Sequence, residues 1–144
     1  MKKNKQAAFT LLELLVVIAI IGILISLGVA SFSNAQRKAR NSRRREDLKA
    51  VQNGLEQYYA DNDGTYPVGT SMSGVAGSAG AGTDYFPAGA PVDPKITQDY
   101  TATSDGTDYC LCAKLELPET GNDSAGDCTY TGTTLGYFCV SNLQ

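Results

Sequence analysis

Apolar residues crowd the first quarter of the chain and then thin into a repeat. From Leu14 to Gln36 no residue is charged, and Leu14–Phe32 supplies 19 uncharged positions in a row. Wound as a helix, that run rises about 28 Å, enough to cross the hydrocarbon core of a bilayer. Further on, Leu48, Val51, Leu55 and Tyr58 recur at three- and four-residue spacing among polar neighbours such as Glu46, Lys49 and Gln57. This is the stripe of an amphipathic helix that needs a surface to cover. No proline interrupts Phe9 to Asp61, so the pattern predicts one helix over 9–61, about 80 Å long. Asp61-Asn62-Asp63-Gly64, with Pro67 close behind, marks its end. Gly22, Gly28 and Gly54 each weaken such a helix by roughly 1 kcal/mol relative to alanine, and the first two suit close packing between helices in lipid.

After the helix the pattern changes period. Gly69–Thr83 is built of small residues and reads as a flexible surface loop; Pro87, Pro91 and Pro94 then mark an irregular stretch. Four short strands are predicted, over 98–103, 109–117, 128–131 and 137–141, with Ser104-Asp105-Gly106-Thr107-Asp108 as a hairpin turn. In the second strand Tyr109, Leu111, Ala113, Leu115 and Leu117 share one face, and Cys110, Cys112, Lys114 and Glu116 the other. The apolar face is expected to cover the helix stripe and the cysteine face to look outward to solvent. The fold class is therefore α+β: a long N-terminal helix packed on a small antiparallel sheet.

Charge divides the chain further. Lys2, Lys3 and Lys5 precede the apolar run, while Arg37, Lys38, Arg40, Arg43, Arg44, Arg45 and Lys49 form a basic collar behind it. Beyond residue 50 only Lys95 and Lys114 are basic, against twelve acids, so the C-terminal part is strongly acidic. With no histidine and scattered carboxylates, the chain lacks the usual means of acid–base catalysis and reads as a non-enzyme. The collar lacks interleaved aromatics, which argues against nucleic acid as a partner. Pairing with the acidic Glu56–Asp63 segment of adjacent subunits is the expected role. Four cysteines, Cys110, Cys112, Cys128 and Cys139, fall in the last 35 residues. Their even number and the single residue between the first two favour disulfides over a zinc site. Residues two apart on a strand rarely bond each other, so Cys110 and Cys112 are expected to bond Cys128 and Cys139, in either pairing.

One residue departs from the apolar pattern. Glu13 is a lone acid at the edge of a membrane-length segment, which costs on the order of 2.5–3.5 kcal/mol on insertion scales and so asks for a function. A plain membrane anchor, or a signal peptide cut near Gly28-Val29-Ala30, leaves it unexplained. A cut between Ala8 and Phe9 would place a new amine one helical turn away, on the same face.

These residues carry a family likeness. Gln6-Ala7-Ala8-Phe9-Thr10-Leu11-Leu12-Glu13-Leu14-Leu15-Val16-Val17-Ile18 resembles the processing site of the type IV pilin and type II secretion pseudopilin superfamily. Tyr66-Pro67 and Asp93-Pro94 resemble pieces of major pseudopilins. The resemblance implies cleavage between Ala8 and Phe9, N-methylation at Phe9 and an assembly role for Glu13; it departs at Ala8, where the family has glycine. It implies a pilin-like fold divided into a cleaved basic leader (1–8), a transmembrane polymerisation helix (9–32), an amphipathic helix (33–63), a flexible loop (64–97) and a disulfide-pinned sheet head (98–144). It also implies a structural subunit of a pilus or pseudopilus, with a minor or tip pilin binding DNA or a surface ligand as the alternative. The partners would be copies of itself and related pilins, a prepilin peptidase/methyltransferase, an inner-membrane assembly platform and membrane lipid. Three lysines before the span and six basic residues soon after it favour a cytoplasmic C-terminus. Cysteine usage and the resemblance instead place the head outside the cytoplasm, on a single-pass protein that later enters a filament. No cofactor is expected from the residues themselves. Major pseudopilins carry calcium in a comparable loop, which makes Asp105, Asp108, Asp123 and Asp127 candidate ligands, although calcium needs about six to eight converging oxygens.

Overall fold

The computed structural model describes residues 9–80, 84–130, 132 and 135–144. The chain divides after Gln36 into two units. Helix α1 spans Leu11–Asp61 and contributes to both. In the first unit the side chains of Leu11–Ser26 are exposed, and the apolar segment is long enough to cross a membrane by length and composition.

Among the described residues, the second unit holds the rest of α1, a short helix α2 (Met72–Ser78), and three strands, β1 (Thr101–Ser104), β2 (Tyr109–Lys114) and β3 (Tyr137–Ser141). The strands form one antiparallel sheet in the order β1-β2-β3. The predicted helix stripe lies at its centre. Leu48 and Leu55 are fully buried and Val51 nearly so, packed in one cluster with Leu111 and Ala113 of β2. Each buried leucine of this kind contributes about 1.5–3 kcal/mol. Helix α1 stops where the sequence says: Asp63 and Gly64 turn to positive φ, and the Gly64 amide donates back to the Tyr59 carbonyl at 3.1 Å.

Four expectations are corrected. The segment Gly69–Thr83 carries α2, opened by Ser71, whose hydroxyl accepts from the Gly74 amide at 3.1 Å. Residues 81–83 of that segment lie outside the described residues. Strand β1 starts at Thr101 rather than Gln98, and β2 ends at Lys114 rather than Leu117. The strand expected over 128–131 does not form, because Cys128 and Tyr130 both have positive φ, which breaks the extended pleat; Thr131 is outside the described residues. Finally, the cysteine face of the sheet is only partly open to solvent, with Cys110 half-buried and Lys114 exposed. Cys112 and Cys139 are 1% exposed and sit within the packed interior.

Both outer edges of the sheet are occupied. On the β1 side, Ser104 and Gly69 exchange two backbone hydrogen bonds of 2.8 and 3.0 Å. On the β3 side the Tyr137 amide donates to the Asp123 carbonyl at 2.9 Å. The Asn122 side chain then pairs with Cys139 as a strand would, accepting from its amide at 2.7 Å and donating to its carbonyl at 2.8 Å. Gln52 of α1 donates to the Ser141 carbonyl at 2.6 Å.

Candidate functional site

In the first unit, α1 begins at Leu11, which makes Thr10 its N-cap and Glu13 the third helical residue. The two side chains serve each other. The Glu13 amide donates to Thr10 Oγ1 at 3.2 Å, while Glu13 Oε2 accepts from the Thr10 amide at 2.9 Å and from Thr10 Oγ1 at 3.0 Å. This is a capping box, which satisfies amides a helix start leaves orphaned and places negative charge at the positive end of the helix dipole. Glu13 is thus held by a Thr10-x-x-Glu13 signature, a second local signal beside its lone charge. The carboxylate is turned toward the helix start, one peptide from Phe9. Phe9 is 85% exposed, and the large apolar side chains from Leu11 to Ile25, with Val29 and Phe32, are exposed as well. A methyl group added at Gly22 or Gly28 would meet nothing within 4 Å. Ala8 and the lysines of the segment 1–8 lie outside the described residues.

In the second unit two residues of the basic collar, Arg40 and Arg44, are engaged within the chain, whereas Arg37, Lys38, Arg43 and Lys49 are exposed. Arg44 is fully buried. Its guanidinium grips Asp93 with two hydrogen bonds of 2.6 and 2.8 Å and also reaches Glu116 at 3.1 Å, Asn41 at 3.0 Å and Gln98 at 3.0 Å. Arg40 holds Glu116 in a second two-pronged pair of 2.6 and 2.7 Å. A buried charge is tolerable when paired and hydrogen-bonded in this way. The Arg40 hydrogen bond, reinforced by Arg44, draws the Glu116 carboxyl down to about 2. The acidic partner segment is likewise engaged at home. Glu56 accepts from the hydroxyls of Tyr66 at 3.1 Å and Tyr109 at 2.8 Å and from the Leu143 amide at 3.2 Å, while Asp61 accepts from Tyr85 at 2.9 Å. Burial and the Glu56 carboxylate both push the Tyr66 and Tyr109 hydroxyls well above their ordinary range.

The four candidate calcium ligands do not come together. Asp105 caps the β1–β2 turn, accepting at one oxygen from the Thr107 amide at 2.9 Å, the Thr107 hydroxyl at 2.8 Å and the Asp108 amide at 2.9 Å. These donors, the Asp108 amide first, hold its carboxyl at about 2. Asp108 accepts from Asn142 at 2.8 Å. Asp123 is fully buried, with one oxygen receiving the amides of Ala125 at 2.9 Å and Gly126 at 2.5 Å and the other that of Tyr130 at 2.8 Å. Asp127 accepts from Thr129 in a local turn. Carboxylates that receive N–H donors in this way organise the loops that carry them. Among the described residues, the one group of three metal-ligand atoms is the sulfurs of Cys110, Cys112 and Cys128, within 4.8 Å of one another. All are spent in disulfides, Cys110–Cys128 and Cys112–Cys139, which pin the C-terminal region as expected.

Comparison with known proteins adds a second line. A family model described as "Prokaryotic N-terminal methylation motif" matches residues 3–29. The chain is 43% identical over 67 residues to the type II secretion system core protein G of Aeromonas hydrophila, covering 46% of each chain. It is 32% identical over 59 residues to the type IV major pilin protein PilA of Myxococcus xanthus, covering 41% of this chain and 27% of that one. A longer match joins it to the fimbrial protein EcpC of Eikenella corrodens, 31% identical over 116 residues, or 81% of this chain and 67% of the other. The chain spans about half the length of the secretion-system relatives it matches. No solved structure matches it.

Proposed function

We propose that this chain, which belongs to the type IV pilin and type II secretion pseudopilin superfamily, is a structural subunit of a type IV pilus or a type II secretion pseudopilus. It is not an enzyme, and its relatives bear the names of secretion-system, pilin and fimbrial proteins. A prepilin peptidase removes the basic leader 1–8 between Ala8 and Phe9, and the new Phe9 amine is methylated. Residues 9–32 anchor the subunit in the membrane through an assembly platform and then polymerise with copies of themselves and related pilins. The amphipathic helix 33–63, the segment 64–97 and the sheet region 98–144 form the extracytoplasmic head.

One observation carries this reading: Glu13 is held at the first turn of α1, just before the uncharged run Leu14–Gln36, with its carboxylate turned back toward Phe9. Both Thr10 donors fall on Oε2, and Oε1 is the oxygen offered to the terminal ammonium of a neighbour. In a low-dielectric surrounding that attraction is much larger than in water, so it fixes axial register and offsets the desolvation of the acid. Mass spectrometry of the mature chain is expected to find Phe9 at its N-terminus with one added methyl. Glu13→Leu should be processed normally and yield no sedimentable filament. A mature chain that keeps its lysines or starts beyond residue 30 overturns the reading, as do normal filaments from Glu13→Leu.

A further inference from the structure

The two disulfides touch. Cys110 Sγ lies 3.5 Å from Cys112 Sγ, and Cys112 Sγ lies 3.8 Å from Cys128 Sγ, each contact joining one bond to the other. Their exposures differ: Cys112 and Cys139 are 1% exposed, whereas Cys110 and Cys128 are partly accessible. The accessible pair also lines a cavity of about 480 Å³, shared with Tyr109, Asp105, Asp108 and Asn142. A thiol can therefore reach the outer bond, and the inner bond is reachable through it.

We propose that Cys110–Cys128 is a thiol-exchange site for a neutral or cationic dithiol, and that Cys128 passes the exchange on to the buried Cys112–Cys139 bond. Exchange proceeds by thiolate attack along a disulfide with loss of the far sulfur. A dithiol thiolate attacks Cys110 Sγ, forms a mixed disulfide there and expels Cys128 as a thiolate. Cys128 sits in a loop rather than a strand and can turn onto its neighbour Cys112. It bonds Cys112 and expels Cys139, which takes a proton from water. The second thiol of the reagent then attacks its own mixed-disulfide sulfur, releases Cys110 as a thiol and leaves as a cyclic disulfide. Two electrons have moved from the dithiol to the protein, which keeps one bond, Cys112–Cys128, and gains thiols at Cys110 and Cys139. Attack from the opposite side leads nowhere, since it would leave Cys110 to bond Cys112, two residues away on the same strand. Asp105 and Asp108 on the cavity wall disfavour an anionic reagent.

The full chain in detergent micelles is treated with dithiothreitol, quenched with N-ethylmaleimide at intervals and mapped by peptide mass. The first two-thiol species is expected to be labelled at Cys110 and Cys139 and to retain a Cys112–Cys128 bond. Labels at Cys110 and Cys128 with Cys112–Cys139 intact overturn the proposal. A second arm uses Cys110→Ser without reductant, which leaves Cys128 as a thiol beside Cys112. Labelling of Cys139 in roughly a tenth of the chains or more supports the hand-over; labelling confined to Cys128 sinks it.

Discussion

Glu116 sits between two guanidinium groups, and its acidity follows from them. Its folded carboxyl is depressed to about 2, below the ordinary glutamate value of about 4.3. A carboxyl depressed on folding contributes stability that is complete above its unfolded value and is lost as pH falls toward its folded one. Denaturant midpoints of the wild type should therefore fall between about pH 5 and about pH 2.5, and Glu116→Gln should flatten part of that decline. Equal declines in the two proteins would assign the acid sensitivity to other groups. At this scale the sequence was partly legible. Glu13 stood out because a lone acid in an apolar run has no neighbour to explain it. Glu116 did not, because in sequence it is one more alternating polar residue, and its partners lie 72 and 76 positions away.

Helix α1 tolerates a glycine in its middle for a reason that sits on another segment. A Cβ at Gly54 would lie 2.7 Å from the Phe86 ring and 2.9 Å from the Tyr85 carbonyl, closer than real contacts allow. Alanine improves helix propensity by about 1 kcal/mol, but overpacking of a filled core costs about 1–3 kcal/mol. Gly54→Ala is therefore expected to lower the thermal midpoint in calorimetry, and a raised midpoint would mean that Phe86 moves aside freely. Among the elements, α1 and β3 were readable because each carries its own pattern: an unbroken helical period with a glycine stop, and a short run of β-formers. Helix α2 contradicts the loop expected there: Met72, Val75, Ala76 and Ala79 recur at helical spacing behind Ser71, but the abundance of small residues hides the pattern. The missing strand at 128–131 was not readable. Its backbone is set by Asp123 gathering three amides and by the tether of Cys128 to Cys110, both of them contacts across the fold.

Taken whole, the chain separates its chemistry: an apolar N-terminal run beside one acid, and a second unit with a buried charge network around Arg44, Asp93 and Glu116. Arg44 is the centre of the latter, tying α1 to Asp93 of the proline-rich segment and to Glu116 just past β2. Arg44→Ala would strand the buried Asp93 carboxylate, and breaking a buried pair from one side costs about 3–5 kcal/mol. Chemical denaturation should register a loss of that size, with Arg44→Lys recovering little because it lacks the two-pronged grip. A loss under about 1 kcal/mol would mean that water replaces the guanidinium. The sequence showed the collar's charge but not its direction, since a run of arginines reads the same whether it faces solvent or folds inward. The occupied borders of the sheet bear on life before assembly. On the proposed reading, copies of the chain would crowd together in the plane of the bilayer before polymerising, where bare strand borders would invite one sheet to stitch onto the next and seed amyloid-like clumps. Gly69 along one border and Asn122, Asp123 and Gln52 along the other already occupy the backbone groups that such stitching would need.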